Sequence, residues 1–281
     1  MLHCNKSKHI KSQIINSTKD FTWFYCSNCS LLYSDKKNQK NKHYINRLKI
    51  FNNFQDANKH EFKNIIKKIK EIGNIKDLDW LDYGCGTGSL LNEIKKETKN
   101  IIGFEPNKIL YRKSKKYKIK VFNKFSKIDS RKKFNIVFSR NTFKYIDDFP
   151  NKIFQISKKI KKNGLFVWRD KYFNYYPLSA MKNKNLNNSH ESLITGSYLF
   201  KNAILYHLNK NKLEIIYSKF YLDNSFFIIA KKNNKIKNYS ISKINLDYFF
   251  LKNQYYVELI HIMRMFILAQ INILKLIFRK K

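Results

Sequence analysis

The period at which apolar and polar residues alternate changes several times along this 281-residue chain. From Asn46 to Gly73, Phe62, Ile65, Ile66, Ile69 and Ile72 recur at steps of three and four with lysines between them. That spacing predicts an amphipathic helix with Gly73 as its C-cap. The run Asp79-Trp80-Leu81-Asp82-Tyr83 then enters three alternate glycines, Gly84, Gly86 and Gly88, and leaves through Ser89-Leu90-Leu91. A strand, a tight loop and a helix in that order suit such a pattern. The helix is expected over Leu90 to Thr98, and a second strand over Asn100 to Glu105. A lysine-rich helix at Lys108 to Lys116, a short strand at Ile119 to Phe122 and a strong strand at Phe134 to Phe138 follow. Next come a helix at Asn151 to Lys161, a turn at Lys162-Asn163-Gly164, a strand at Leu165 to Trp168 and a helical segment at Tyr198 to Leu208. Two last strands, Leu213 to Tyr221 and Ser225 to Lys231, flank a short Leu222-Asp223-Asn224 turn. Strands alternating with helices predict an α/β domain with a doubly wound parallel sheet, and the final pair an antiparallel hairpin at its edge.

Both ends depart from this pattern. Near the N-terminus, Cys26 and Cys29 form a C-x-x-C between aromatic and apolar residues, as at the hairpin tip of a zinc knuckle. Two thiolates at that spacing reach one tetrahedral ion, with Cys4 as the third ligand and His9 or His3 as the fourth; the alternative is a knuckle that folds on its aromatic contacts without metal. From Tyr255 onward the chain turns strongly apolar, while Glu258, His261, Arg264, Asn272, Lys275 and Arg279 fall on one narrow helical face. Charges inside the stretch argue against a spanning helix. It packs on protein, its own domain or a second subunit, or it lies in a membrane interface. The organisation expected is a knuckle-like segment at 1–45, a linking helix at 46–76, a central domain at 77–233 and an amphipathic helical tail at 234–281.

Composition changes this picture little. The net charge of +37 resembles the footprint of a nucleic-acid binder, yet only seven of the 57 basic residues are arginine, the residue suited to bidentate phosphate recognition. The chain also favours Asn, Ile, Phe and Tyr, whose codons are A/T-rich, so codon bias explains the lysines as well as function does. Met1 to Asp20 is mostly polar, which argues against a signal peptide and for the cytoplasm, with contact at the inner face of the membrane through the tail. In a reducing compartment, four cysteines read as metal ligands before disulfides.

Candidate chemistry gathers around the glycine loop. Glycines let the backbone adopt positive φ and let a ligand approach the main chain, and the helix start beyond them offers unpaired N–H groups. Glu105 stands 17 positions past Gly88, at the carboxyl end of the second strand, where an acid accepts hydrogen bonds from both ribose hydroxyls. Leu81-Asp82-Tyr83-Gly84-Cys85-Gly86-Thr87-Gly88, Phe104-Glu105-Pro106-Asn107 and a seven-stranded sheet with a closing hairpin resemble the class I S-adenosylmethionine-dependent methyltransferases over Asp77 to Lys232. The knuckle and helix ahead of them resemble the small-molecule members, some acting on sugar nucleotides, that carry a zinc-binding segment. The resemblance implies that Asp82 meets the ammonium end of S-adenosylmethionine. The backbone at Gly84, Cys85, Gly86 and Gly88 would wrap it, Glu105 would take the ribose hydroxyls, and Asn141 would border it after the fourth strand. Where relatives commonly have Glu-His, this chain has Lys144-Tyr145, and where an Asp approaches adenine it has Asn123.

Two segments, Ser139 to Asp148 and Arg169 to Gly196, are expected to build the acceptor pocket, with Tyr145 and His190 as candidate general bases. The function expected is methyl transfer to oxygen or carbon of a small molecule, a sugar or lipid-linked precursor. Two alternatives stand beside it. An RNA methyltransferase is favoured by net charge and disfavoured by scarce arginine and by the missing N-P-P-Y signature. A non-catalytic cofactor-binding partner module is the other. The partners expected are a small-molecule acceptor, no nucleic acid, and a membrane surface or second subunit at the tail.

Overall fold

The computed structural model describes residues 12–17, 21–26, 31–36, 59–98, 100–143, 146, 149–171, 197–199, 201–221, 225–233, 263, 266, 267 and 270. In chain order the elements are β1 Ser12–Ser17, β2 Phe21–Cys26, β3 Leu31–Lys36, α1 Lys59–Lys70, β4 Trp80–Tyr83, α2 Ser89–Ile94, β5 Ile101–Phe104 and α3 Lys108–Ser114. They continue with β6 Lys120–Phe122, β7 Phe134–Arg140, α4 Phe149–Lys158, β8 Ile160–Lys171, β9 Ser197–Leu199, α5 Lys201–Lys210, β10 Leu213–Phe220 and β11 Ser225–Lys232.

Seven strands form the central sheet in the order β10-β11-β8-β7-β4-β5-β6. β4 pairs in parallel with both β5 and β7, and β7 in parallel with β8. β11 is antiparallel to β8 and to β10, which is the edge hairpin expected from the sequence. The order reverses between β4 and β7, and at such a switch point the carboxyl ends of the strands open into a crevice.

Alternation along each strand sorts the core into two layers. Leu81, Tyr83, Val137, Phe166 and Trp168 share one layer with Phe149, Ile153 and Ile156 of α4 and Ile204 and Leu208 of α5. Trp80, Ile136, Phe138 and Val167 share the other with Phe62, Ile65, Ile66 and Ile69 of α1 and Leu90, Leu91 and Ile94 of α2. Strand residues in step with Trp80, Phe138 and Val167 face α1, which places Asp82, Arg140 and Arg169 on that side.

Several boundaries differ from the sequence reading. α1 ends at Lys70, and its last turn closes through Ile72 N–H to Ile69 O at 3.0 Å, so Gly73 is not a left-handed cap and Ile72 is 40% exposed. α2 stops at Ile94, where Glu97 N–H turns back to Ile94 O. The expected turn at Lys162-Asn163-Gly164 lies inside β8. Asn163 takes φ 61°, and pairing jumps from Phe134–Ile160 to Ile136–Leu165, so the extra residues bulge without ending the strand. Tyr198, expected in a helix, lies in β9, because Leu32 of β3 pairs with it and α5 begins only at Lys201.

β1, β2, β3 and β9 make a second, four-stranded antiparallel sheet. It is not a separate body: Cys26 is fully buried in the same core cluster as Trp168 and Phe149, and Phe24 packs against that cluster. Cys4, His9 and Cys29 lie outside the described residues, as does the Leu222-Asp223-Asn224 turn. Among the described residues no group of three or more His, Cys, Asp and Glu is placed to hold a metal ion.

Candidate active site

β4 carries the sheet's carboxyl edge into the glycine loop, and β5 holds the loop from the side. Gly84 N–H and Cys85 N–H both donate to Phe104 O, at 2.8 and 3.0 Å. Gly84, Gly86 and Gly88 take φ 83°, 57° and 80°. A Cβ at Gly84 would overlap the Thr142 side chain, so this glycine lets the loop after β7 close against the loop after β4. A Cβ at Gly86 would meet nothing within 4 Å: here the backbone faces open space, as a ligand-bearing turn requires. Gly88 is the N-cap of α2.

Glu105 is fixed beneath this turn. One carboxylate oxygen accepts from Gly86 N–H and the other from Asn107 N–H, each at 2.8 Å. Each oxygen keeps lone-pair capacity for a ligand hydroxyl. Burial raises the pKa of Glu105, and these two hydrogen bonds oppose the rise. Asn107 is committed elsewhere, since its side chain caps α3 by accepting from Ile109 N–H and Leu110 N–H. Asp82 is only 3% exposed. Burial, reinforced by the charge of Glu105 and opposed by that of Arg140, pushes its carboxyl up to about 8. Cys85 is buried, and burial with the two neighbouring acids pushes its thiol well up. Its contribution to the site is its backbone.

The loop after β7 forms the opposite wall. Asn141 takes a left-handed φ of 52°, is exposed, and donates its N–H to Arg169 O at 2.9 Å. Thr142 Oγ1 lies 3.0 Å from Arg140 O and 3.3 Å from Tyr83 O. Asp170, fully buried, accepts from Thr142 N–H at 3.1 Å and Phe143 N–H at 2.9 Å. Phe143 anchors the loop below, its ring 4.9 Å from Trp168 and 5.9 Å from Tyr83. The expected cofactor residues Asp82, Gly84, Cys85, Gly86, Gly88, Glu105 and Asn141 thus converge on one edge of the sheet. Tyr145 and His190 lie outside the described residues.

Four residues of this edge carry no individual role in the sequence reading, although three of them lie in the two segments expected to build the acceptor pocket. Arg140 of β7 and Arg169 of β8 pair directly in register. Glu61 of α1 bridges them, with one oxygen 2.5 Å from Arg140 Nη2 and the other on Arg169 Nε. The Arg140 guanidinium lies over Phe62, and that of Arg169 over Tyr221. Asp170 is the fourth. Strand alternation could have placed Arg140 and Arg169 on one face, but nothing in the sequence pairs them with a glutamate 79 and 108 positions away.

The geometry offers a buried acid for a ligand cation, a fixed carboxylate for a pair of hydroxyls, and an open, Cβ-free turn between them. A family model for the methyltransferase domain matches residues 57–208. A ubiquinone biosynthesis O-methyltransferase of Pelagibacter ubique is 27% identical over 113 residues, covering 37% of this chain and 47% of that protein. The chain thus spans about half the length of the curated relative it matches. Among solved structures, an S-adenosylmethionine-dependent methyltransferase from Clostridium acetobutylicum superposes with a TM-score of 0.52 at 17% identity, covering 69% of this chain and 100% of that one. A TehB-like SAM-dependent methyltransferase from Corynebacterium glutamicum gives 0.51 at 14% identity, with coverage of 69% and 100%. At these identities the two structures establish the fold.

Proposed function

This chain belongs to the methyltransferase-domain family, and we propose that it transfers a methyl group from S-adenosylmethionine to oxygen or carbon of a small molecule, a sugar or lipid-linked precursor. The observation that carries the cofactor site is the convergence of Asp82, the open Gly86 turn and the doubly hydrogen-bonded Glu105 at the switch point. When bound, S-adenosylmethionine supplies a methyl group already activated as a sulfonium. Asp82 would face its ammonium end and Glu105 would take the two ribose hydroxyls. The Gly84 to Gly88 backbone would follow the methionine and ribose portions, and Asn141 would border the cofactor from the loop after β7.

In-line transfer then needs the acceptor atom held close and aligned in a dry pocket. The chain's share of that work falls to the loop after β7, which Asp170, Thr142 and Phe143 hold in place, and to the segment after β8. Tyr145 and His190 are assigned as the groups that take a proton from an oxygen or carbon acceptor. The Pelagibacter relative is a ubiquinone biosynthesis O-methyltransferase, which supports an oxygen acceptor on a small molecule.

Calorimetry with S-adenosylhomocysteine tests the cofactor site. Wild type is expected to bind, and Glu105→Ala to bind at least about tenfold more weakly, since two ribose hydroxyls lose a charged acceptor. Absence of binding by wild type, or unchanged affinity in Glu105→Ala, would refute the assignment.

A further inference from the structure

An apolar helical face near the C-terminus lies uncovered. Met263, Phe266, Ile267 and Gln270 are helical, stand at steps of three and four on one face, and are all exposed. The three apolar residues are 58%, 66% and 47% exposed. Single exposed apolar side chains are ordinary, but three neighbours on one face form a patch that asks for a partner.

The sequence says what kind. The same spacing recurs at Leu259 and Ile260 before the patch and at Ile271, Leu274, Ile277 and Phe278 after it, with Gln270 the one polar position in the series. On a helical wheel Arg264, Lys275 and Arg279 run along one flank of the stripe, with Lys280 and Lys281 beyond and Glu258 the single acid from Tyr255 onward. The partner must therefore be apolar where the stripe meets it and negative along that basic flank. A second copy of the chain brings another set of the same cations and a net charge of +37. A bilayer with anionic headgroups supplies both properties. Arg264 and Lys275 inside the stretch oppose a spanning arrangement, whereas in the interfacial plane their stems reach outward to headgroups.

We propose that residues around Met263, Phe266 and Ile267 form a helix that lies in the surface of an anionic membrane, its apolar stripe among the acyl chains and its basic flank on the phosphates. This proposal stands apart from the methyl-transfer reading and does not require it.

Flotation of the full-length protein at about 0.15 M salt tests it, using phosphatidylcholine vesicles with and without about one-third phosphatidylglycerol. Wild type is expected to float with the anionic vesicles and far less with the neutral ones. Phe266→Glu/Ile267→Glu is expected to lower the bound fraction about tenfold while S-adenosylhomocysteine affinity stays that of wild type. In a separate Phe266→Trp variant, the added indole emission should shift to the blue on addition of anionic vesicles, a readout that does not depend on the double variant folding. No flotation, or no blue shift, overturns the proposal. Flotation that Phe266→Glu/Ile267→Glu leaves unchanged also overturns it, because the scattered lysines would then carry the adhesion. A wild-type dimer that the double variant turns into monomer, without vesicle binding, overturns it in favour of a second copy.

Discussion

Burial holds the Asp82 carboxyl up at about 8, so near neutral pH the unliganded side chain is largely protonated. A cation placed against it favours the ionised form. Binding of S-adenosylhomocysteine at pH 7 is therefore expected to release about one proton. Calorimetry in two buffers of different ionisation enthalpy measures this; Asp82→Asn should abolish the release, and a wild-type value of zero at pH 7 would contradict the assignment. The same shift fixes a sign for stability. A carboxyl raised from its ordinary value near 3.9 contributes most below that value, and the contribution is lost as pH rises through the folded pKa of about 8. Between those limits the unliganded chain should lose melting temperature because of Asp82, and Asp82→Asn should flatten that slope. Glu105, also raised by burial, adds to the slope with the same sign. These two acids were legible in the sequence because each sits at a strand end next to the glycine turn. Asp170 was not: its role depends on Thr142 and Phe143 folding back onto β8, a tertiary event without a local signature.

At the scale of elements, α1 is joined to the sheet by more than its apolar stripe. The pairing of Arg140 with Arg169 sets two guanidiniums side by side, and like charges directly opposite each other are unfavourable. Glu61 meets both. Glu61→Gln should destabilise the fold by roughly 1–3 kcal/mol in urea denaturation, and adding Arg169→Met should recover part of the loss. Additive effects in this double-mutant cycle would show that the bridge does not couple the two elements. Strands β4, β5, β7 and β11 were readable because alternation or a continuous apolar run marks them, and α1 because its period is clear. The errors fell where hydrogen bonds outweigh pattern. Ile72 continues the helical spacing but lies beyond the last turn of α1. Gly164 looks like a turn, yet the ladder to β7 carries β8 past it. Tyr198 reads as helical, yet it is taken up as a strand by β3.

For the molecule as a whole, a net charge of +37 on 281 residues repels itself in the compact state. Raising salt from about 0.05 to about 0.5 M should raise the melting temperature by several degrees as this repulsion is screened, with a scan in each buffer as the check. A flat response would mean that the charge is already neutralised locally. The N-terminal sheet adds a consequence of another kind, concerning the order of events during synthesis. In it β3 lies between β2 and β9, so Leu31 and Leu199 pair although 168 positions separate them. Until Ser197–Leu199 has left the ribosome, that edge of β3 offers unpaired N–H and C=O groups to any passing strand. These hairpins are thus made well before the strand that covers β3, and a chain stalled before residue 197 would present the β3 edge as an aggregation hazard.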